Sequence, residues 1–202
     1  MRDWDFAETS LLYFDVFLTI RNLLTISSTQ LTNELDDLKE QNALFMYIIF
    51  DEYWLKPFRT FVMGTWKAME GDRLRRTLSQ WSPLMPDRFL RKVVEEILLP
   101  KLKQAVKADW NPRDQSQALQ TWLLPWTEIL GKRNMKAMFE EDVKPRITPI
   151  FGEWKPSKPI GLLLVTPWIG VLDDEQVISF SNRYIMSKLS GMIQRLEIEP
   201  SN

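Results

Sequence analysis

Two short motifs recur at almost the same distance. Trp110 and Trp154 each open a Trp-x-Pro, closed by Pro112 and Pro156, and Pro125-Trp126 returns as Pro167-Trp168. The offsets are 44 and 42 residues. A bulky ring beside a residue with a fixed φ is a demanding local arrangement. Repeating it at this period points to repetition of a whole helix–turn–helix pair, because about 43 residues exceeds any single element. The stretch Ala108 to Leu130, which also holds Trp122, is the densest copy.

The flanking patterns are helical. Leu90, Val93, Val94, Ile97, Leu98, Leu102 and Val106 make an apolar stripe opposite Arg91, Lys92, Glu95, Glu96, Lys101 and Lys103, with Asp87 as its expected cap. The next stripe runs through Met138, Phe139, Val143, Ile147 and Ile150 after an expected cap at Asn134. A third follows Asp173-x-x-Gln176, a capping-box pattern, through Val177, Ile178, Phe180, Tyr184, Ile185, Leu189 and Ile193. Pro100 and Pro145 interrupt the first two stripes 45 residues apart, and an interior proline predicts a kink or break. Ser187 stands at the matching place in the third.

Three helix pairs result, with a period of 41 to 45 residues; Trp81 and Pro83 suggest offsets of 41 and 42 for the first, which conflict. This is the size class of HEAT and armadillo repeats, whose units bury their faces only by stacking. The expected fold is all-α, with stacked helical hairpins forming a HEAT-like α-superhelix over residues 66–202. An N-terminal helical pair over residues 1–65 precedes it and packs on it. Ile160 to Val165 is the one run compatible with a short strand, and its place in the repeat favours helix.

In that N-terminal pair, Leu12, Val16, Ile20, Leu23 and Leu24 mark one stripe. Leu31, Leu35, Leu38, Asn42, Phe45 and Ile49 form a seam with steps of three and four. The seam is read as packing within a bundle, with a dimerising or partner-binding use as the alternative. The apolar run Leu11 to Ile26 carries Asp15, Arg21 and Asn22, so it reads as a core helix and not a membrane span. The acidic start lacks the basic region of a secretory signal.

Chemistry is scarce. The chain has neither cysteine nor histidine, which removes thiolate and imidazole nucleophiles, ligands and proton shuttles. There is no glycine-rich phosphate loop, and the acidic clusters Glu140–Asp142 and Asp173–Glu175 fall where helix N-termini are expected. A non-enzyme without metal, cofactor or small-molecule substrate is expected. The net charge of −1 divides into −5 over residues 1–65 and +4 over residues 66–202. Lys101, Lys103, Lys107, Lys132 and Arg133 are the candidate interaction surface, for an acidic partner or RNA phosphate; the competing reading is a solvated face. The tryptophans are read as wedges between helices, with base stacking as the sharper alternative.

The order of these motifs resembles a known family. Ile97-Leu-Leu-Pro-Lys-Leu102, Asp109-Trp110-Asn111-Pro112, Asp114, Trp122-Leu-Leu-Pro125-Trp126 and Leu130 resemble the GCFC (GC-rich sequence DNA-binding factor-like) domain, most closely that of the tuftelin-interacting, spliceosome-disassembly family. Lys144-Pro-Arg-Ile147, Trp154-Lys-Pro156, Pro167-Trp168 and Tyr184-Ile-Met-Ser-Lys-Leu189 continue it, so that it covers roughly residues 66–202. The resemblance implies a nuclear, non-catalytic scaffold of pre-mRNA splicing. Its partners would be spliceosomal proteins, among them a DEAH-box RNA helicase complex recruited to take apart the intron-lariat spliceosome. The alternative is a helical-repeat protein that binds RNA or DNA through the basic excess at residues 66–113, eleven Lys/Arg against six Asp/Glu. The sequence departs from the family in lacking histidines around Trp122, in Ser187, and in lacking a G-patch; a fragment or a reduced relative is expected.

Overall fold

The computed structural model describes residues 6–29 and 35–198, with side chains at 13–25 and 39–194. Among the described residues all regular structure is helical. Eight helical stretches follow in chain order: α1 (Phe6–Thr29), α2 (residues 35–64), α3 (Asp72–Trp81), α4 (residues 87–109), α5 (Leu119–Trp122), α6 (residues 127–153), α7 (Ile160–Val165) and α8 (residues 174–198). The chain forms two compact units, Met1–Leu102 and Lys103–Asn202, divided within α4.

The long even-numbered helices share one irregularity. Each contains a widened π turn: Phe50–Leu55, Val94–Leu98, Phe139–Val143 and Asn182–Met186. Their starts lie 44, 45 and 43 residues apart. Pro57, Pro100 and Pro145 each sit two residues beyond the end of such a turn. Of the kink or break expected at Pro100 and Pro145, the break does not occur. The Leu99 amide donates to the Val94 carbonyl and the Lys144 amide to the Phe139 carbonyl, five residues back, so the helix passes the proline by widening. The π turn in α8 persists although Lys188 stands two residues beyond its end, where the others have proline; the expected counterpart, Ser187, falls one residue short of that place.

A second landmark is a 3-10 turn entered through a proline, at Ser82–Leu84, Leu124–Trp126 and Thr166–Trp168. The 42-residue spacing of these turns resolves the conflict at the first copy in favour of Pro83. Leu84, Trp126 and Trp168 then share one position, and Trp81, Leu123 and Val165 another; all six are buried. A third landmark escaped the sequence reading: Trp66 lies 44 residues before Trp110, as Trp110 does before Trp154. The Trp66 amide donates to Phe61 and the Trp110 amide to Ala105, each five residues back.

Several expected details move. Asp87 is the first residue of its helix, after Pro86, and not its cap. Gly131 at φ 76° interrupts α6, so the helix resumes just after it and Asn134 falls in its first turn, donating to the Leu130 carbonyl at 2.8 Å instead of capping. Asp173 and Gln176 do form the capping box. In the first unit the buried faces are rotated from the stripes read in sequence. Phe17, Met46 and Phe50 are buried, whereas Val16, Leu23 and Phe45 are exposed. The reason is a denser aromatic cluster: Phe14 and Phe17 each meet the Trp81 ring edge-on at 5.2 Å, and Phe50 meets Phe17 at 4.7 Å. Asn42 turns inward and donates to the Leu24 carbonyl at 3.1 Å, joining α2 to α1. Leu12, Leu31, Leu35 and Leu38 have side chains outside the described residues.

Trp126 is 1% exposed and Trp122 5% exposed, the latter donating its indole N–H to the Gln117 carbonyl at 3.1 Å. Truncating either removes a filled wedge. Trp126→Ala is expected to cost about 3–5 kcal/mol in urea unfolding; a loss below about 1 kcal/mol would contradict the packing role.

Candidate interaction surface

None of the motif tryptophans offers a ring for stacking. Trp110, Trp122, Trp126, Trp154 and Trp168 are all buried. Trp154 donates its indole N–H to the Lys158 carbonyl at 2.6 Å and lies against Gly161, where an added Cβ would meet its ring at 2.7 Å. The buried indole N–H groups of Trp81 and Trp110 have no hydrogen-bond acceptor, so local satisfaction holds for only part of the set. Pro112 and Pro167 line a narrow cleft beside Trp110 and Trp168. Pro125 and Pro167 enter their 3-10 turns, and Pro156 follows Trp154 into the loop before α7.

The basic candidates separate into two kinds. Lys103 pairs with Glu141 at 2.7 Å and approaches Asp142 at 3.8 Å, while Lys107 meets Asp142 at 2.9 Å. Asp142 is almost wholly buried, so these two lysines neutralise a carboxylate inside the second unit. Lys132 and Arg133 are exposed on α6 just after Gly131 and pair with no carboxylate among the described residues. Lys101 is half-buried on α4, in the first unit. The structure thus brings Lys103 and Lys107 together at one carboxylate and sets Lys132 and Arg133 apart from them.

A repeating set of cross-helix contacts, absent from the sequence reading, accounts for much of this charge. Arg59 pairs with Glu96 at 2.9 Å in the first unit, and Lys103 pairs with Glu141 in the second. Counted from the π turns, Arg59 and Lys103 are equivalent, as are Glu96 and Glu141. Arg146 donates to the carbonyls of Lys107 (2.6 Å) and Trp110 (2.5 Å), at the end of α4. Lys188 does the same for Gly152 and Trp154 at the end of α6. Cations there complete orphan carbonyls and oppose the negative helix end. The signal was in the sequence as Arg146 and Lys188, 42 residues apart, but only the hydrogen bonds of the folded chain show what they cap.

Among the described residues no group of His, Cys, Asp or Glu has metal-site geometry, and no helix is long and apolar enough to cross a membrane. Large apolar side chains are also exposed: Val16, Leu23, Phe45, Ile48 and Tyr53 in the first unit, and Leu162, Ile169, Ile178 and Ile193 in the second.

Repeated helix pairs with a buried aromatic motif and exposed apolar side chains define a class of all-α protein in which the recurring motifs serve packing. The sequence pattern of the GC-rich sequence DNA-binding factor-like protein family (GCFC) matches residues 1–202, and the chain belongs to that family. The match takes in residues 1–65 as well as the region where the motifs carried the resemblance. A Septin and tuftelin-interacting protein 1 homolog from Dictyostelium discoideum is 31% identical over 156 residues, 77% of this chain and 17% of that protein. Septin-interacting protein 1 of Drosophila melanogaster is 28% identical over 75% of the chain and 19% of its own length. Tuftelin-interacting protein 11 of Bos taurus is 26% identical over 74% and 17% respectively. The chain therefore spans less than a fifth of the curated relatives it matches.

The Lys103–Glu141 pair has a pH signature. Its hydrogen bond holds the Glu141 carboxyl below the usual range and raises the Lys103 ammonium above its own. A lowered carboxylate contributes fully above the ordinary glutamate value, about 4.3, and loses that contribution as pH falls through the lowered value. The raised ammonium contributes fully below about 10.4 and loses it as pH rises through the raised value. Urea midpoints of wild type and Glu141→Gln should differ by a constant amount near neutral pH and converge in acid. A difference that does not change with pH would contradict the pair.

Proposed function

We propose that this chain is a non-catalytic protein-interaction scaffold of the spliceosome, acting in the nucleus with the complex that takes the intron-lariat spliceosome apart. The observation that carries the reading is the family match over the whole chain, together with relatives named for the proteins they interact with. Neither the family description nor those names denotes an enzyme. The helix pairs stack as a HEAT-like superhelix in this reading, with residues 1–65 as an N-terminal segment and residues 66–202 as the repeat domain. Such a stack offers long open faces to partners. A DEAH-box helicase complex is the partner class that the splicing role requires.

The nucleic-acid reading is weakened by the same geometry. Lys103 and Lys107 are engaged by carboxylates, the buried Asp142 among them, and the motif tryptophans are covered. Of the five candidate cations, that leaves Lys101 in the first unit and Lys132 and Arg133 in the second for phosphate.

The tagged chain, incubated with nuclear extract and washed at physiological salt, should retain spliceosomal proteins together with a DEAH-box helicase, identified by mass spectrometry. Recovery of neither, from a sample shown to be folded by circular dichroism, would overturn the reading. Loss of the recovered proteins on nuclease treatment would return the case to RNA.

A further inference from the structure

Each later long helix is met on one side by the long helix before it, through fixed positions counted from the π turn. In the first unit Phe89 packs on the rings of Tyr47, Phe50 and Trp54 of α2, Lys92 pairs with Asp51, and Glu96 pairs with Arg59. In the second, Glu141 and Asp142 of α6 pair with Lys103 and Lys107 of α4. Phe180 of α8 meets Phe139 and Phe151 of α6 at 6.0 and 5.3 Å. Counted from the π turns, Glu96 of α4 and Glu141 of α6 occupy one receiving position, and Lys92 of α4 and Phe180 of α8 another.

α2 has the same receiving positions, and nothing among the described residues covers them. Phe45 is equivalent to Phe89, and the two are 49% and 0% exposed. Tyr53 is equivalent to Ile97, Asp142 and Ile185; it is 75% exposed, while none of those exceeds 9%. Ile48, 51% exposed, matches the half-buried Lys92, the exposed Ala137 and the buried Phe180. Glu52 matches Glu96 and Glu141, the carboxylates that take a cation from the preceding helix, and here it meets only its own Lys56, four residues on. Exposed apolar side chains beside a carboxylate, at positions that elsewhere form an interface, specify the missing neighbour's chemistry.

We infer that this face of α2 docks an amphipathic helix of a partner protein, apolar toward Phe45, Ile48 and Tyr53 and carrying an arginine or lysine opposite Glu52. The inference rests on the scaffold reading for its use and on the repeat for its chemistry. Residues 1–65 carry a charge of −5, which favours a basic helix over a second copy of the same acidic face.

A labelled peptide copying residues 87–109, which carries Lys103 and Lys107 in the donor role, is a direct probe. Fluorescence anisotropy with the full chain should show saturable binding. Phe45→Glu with Ile48→Glu should weaken it at least tenfold, and so should Tyr53→Glu, a change at a side chain too exposed to endanger folding. Glu52→Lys should weaken it severalfold, and a peptide with Lys103→Glu should restore part of the loss. Ile178→Glu, on another exposed apolar site, should change nothing. Binding that ignores the α2 substitutions, or no binding at millimolar peptide, overturns the inference. So does a concentration-dependent dimer in light scattering that Tyr53→Glu abolishes, because a second copy would then be the occupant. A pulldown that recovers splicing proteins equally with the Tyr53→Glu chain would spare the scaffold reading and reject this face.

Discussion

Buried side chains spaced every four residues must stay on one side of a helix that turns every 3.6. Met135, Phe139, Val143, Ile147 and Phe151 are all buried at that spacing. On a regular α-helix each step of four drifts by about 40°, so the fifth side chain would have left the core. The π turn at Phe139–Val143 absorbs the surplus residue and returns the stripe to its face. It also accommodates Pro145 without breaking the helix, since the widened turn relaxes the contact between the ring and the carbonyl four residues back. The same turn in α8, where Lys188 stands in place of proline, shows that the stripe sets the turn and the proline exploits it.

The remaining architecture depends on that register. Because each long helix keeps one face inward, its neighbouring face is free to meet the next helix at constant positions. Arg59–Glu96 and Lys103–Glu141 are the same contact made twice, with guanidinium exchanged for ammonium. Arg146 and Lys188 fasten the ends of the preceding helices in the same manner. The conspicuous residues of the sequence are spent on this work. Its tryptophans fill wedges and two of its candidate lysines neutralise Asp142, which leaves exposed apolar positions as the features that distinguish one unit from another.

How far the sequence spoke depended on whether a feature was local. The all-α class, the third capping box and the 42-residue proline turns follow from composition, spacing and turn chemistry acting within a few residues. The rotation of α1 and α2 was not legible. Val16 and Phe17 are both apolar, and the choice between them is made by Trp81, more than sixty residues away. Trp66 was missed because it is followed by Lys67-Ala68 and lacks the Trp-x-Pro that marked its equivalents. The basic candidates divide for a related reason: nothing in a row of lysines reveals that Asp142 lies buried on another helix, where Lys103 and Lys107 meet it.

The central claim is that this chain acts by holding other proteins, with its motifs committed to packing. Crosslinking mass spectrometry of the chain in its native complexes tests it most directly, because it names neighbour and surface together. The account predicts reproducible protein–protein crosslinks from exposed lysines of this chain, such as Lys39 on α2 and Lys132 on α6, to spliceosomal subunits. Crosslinks confined to the chain itself, or found only to RNA, would contradict it.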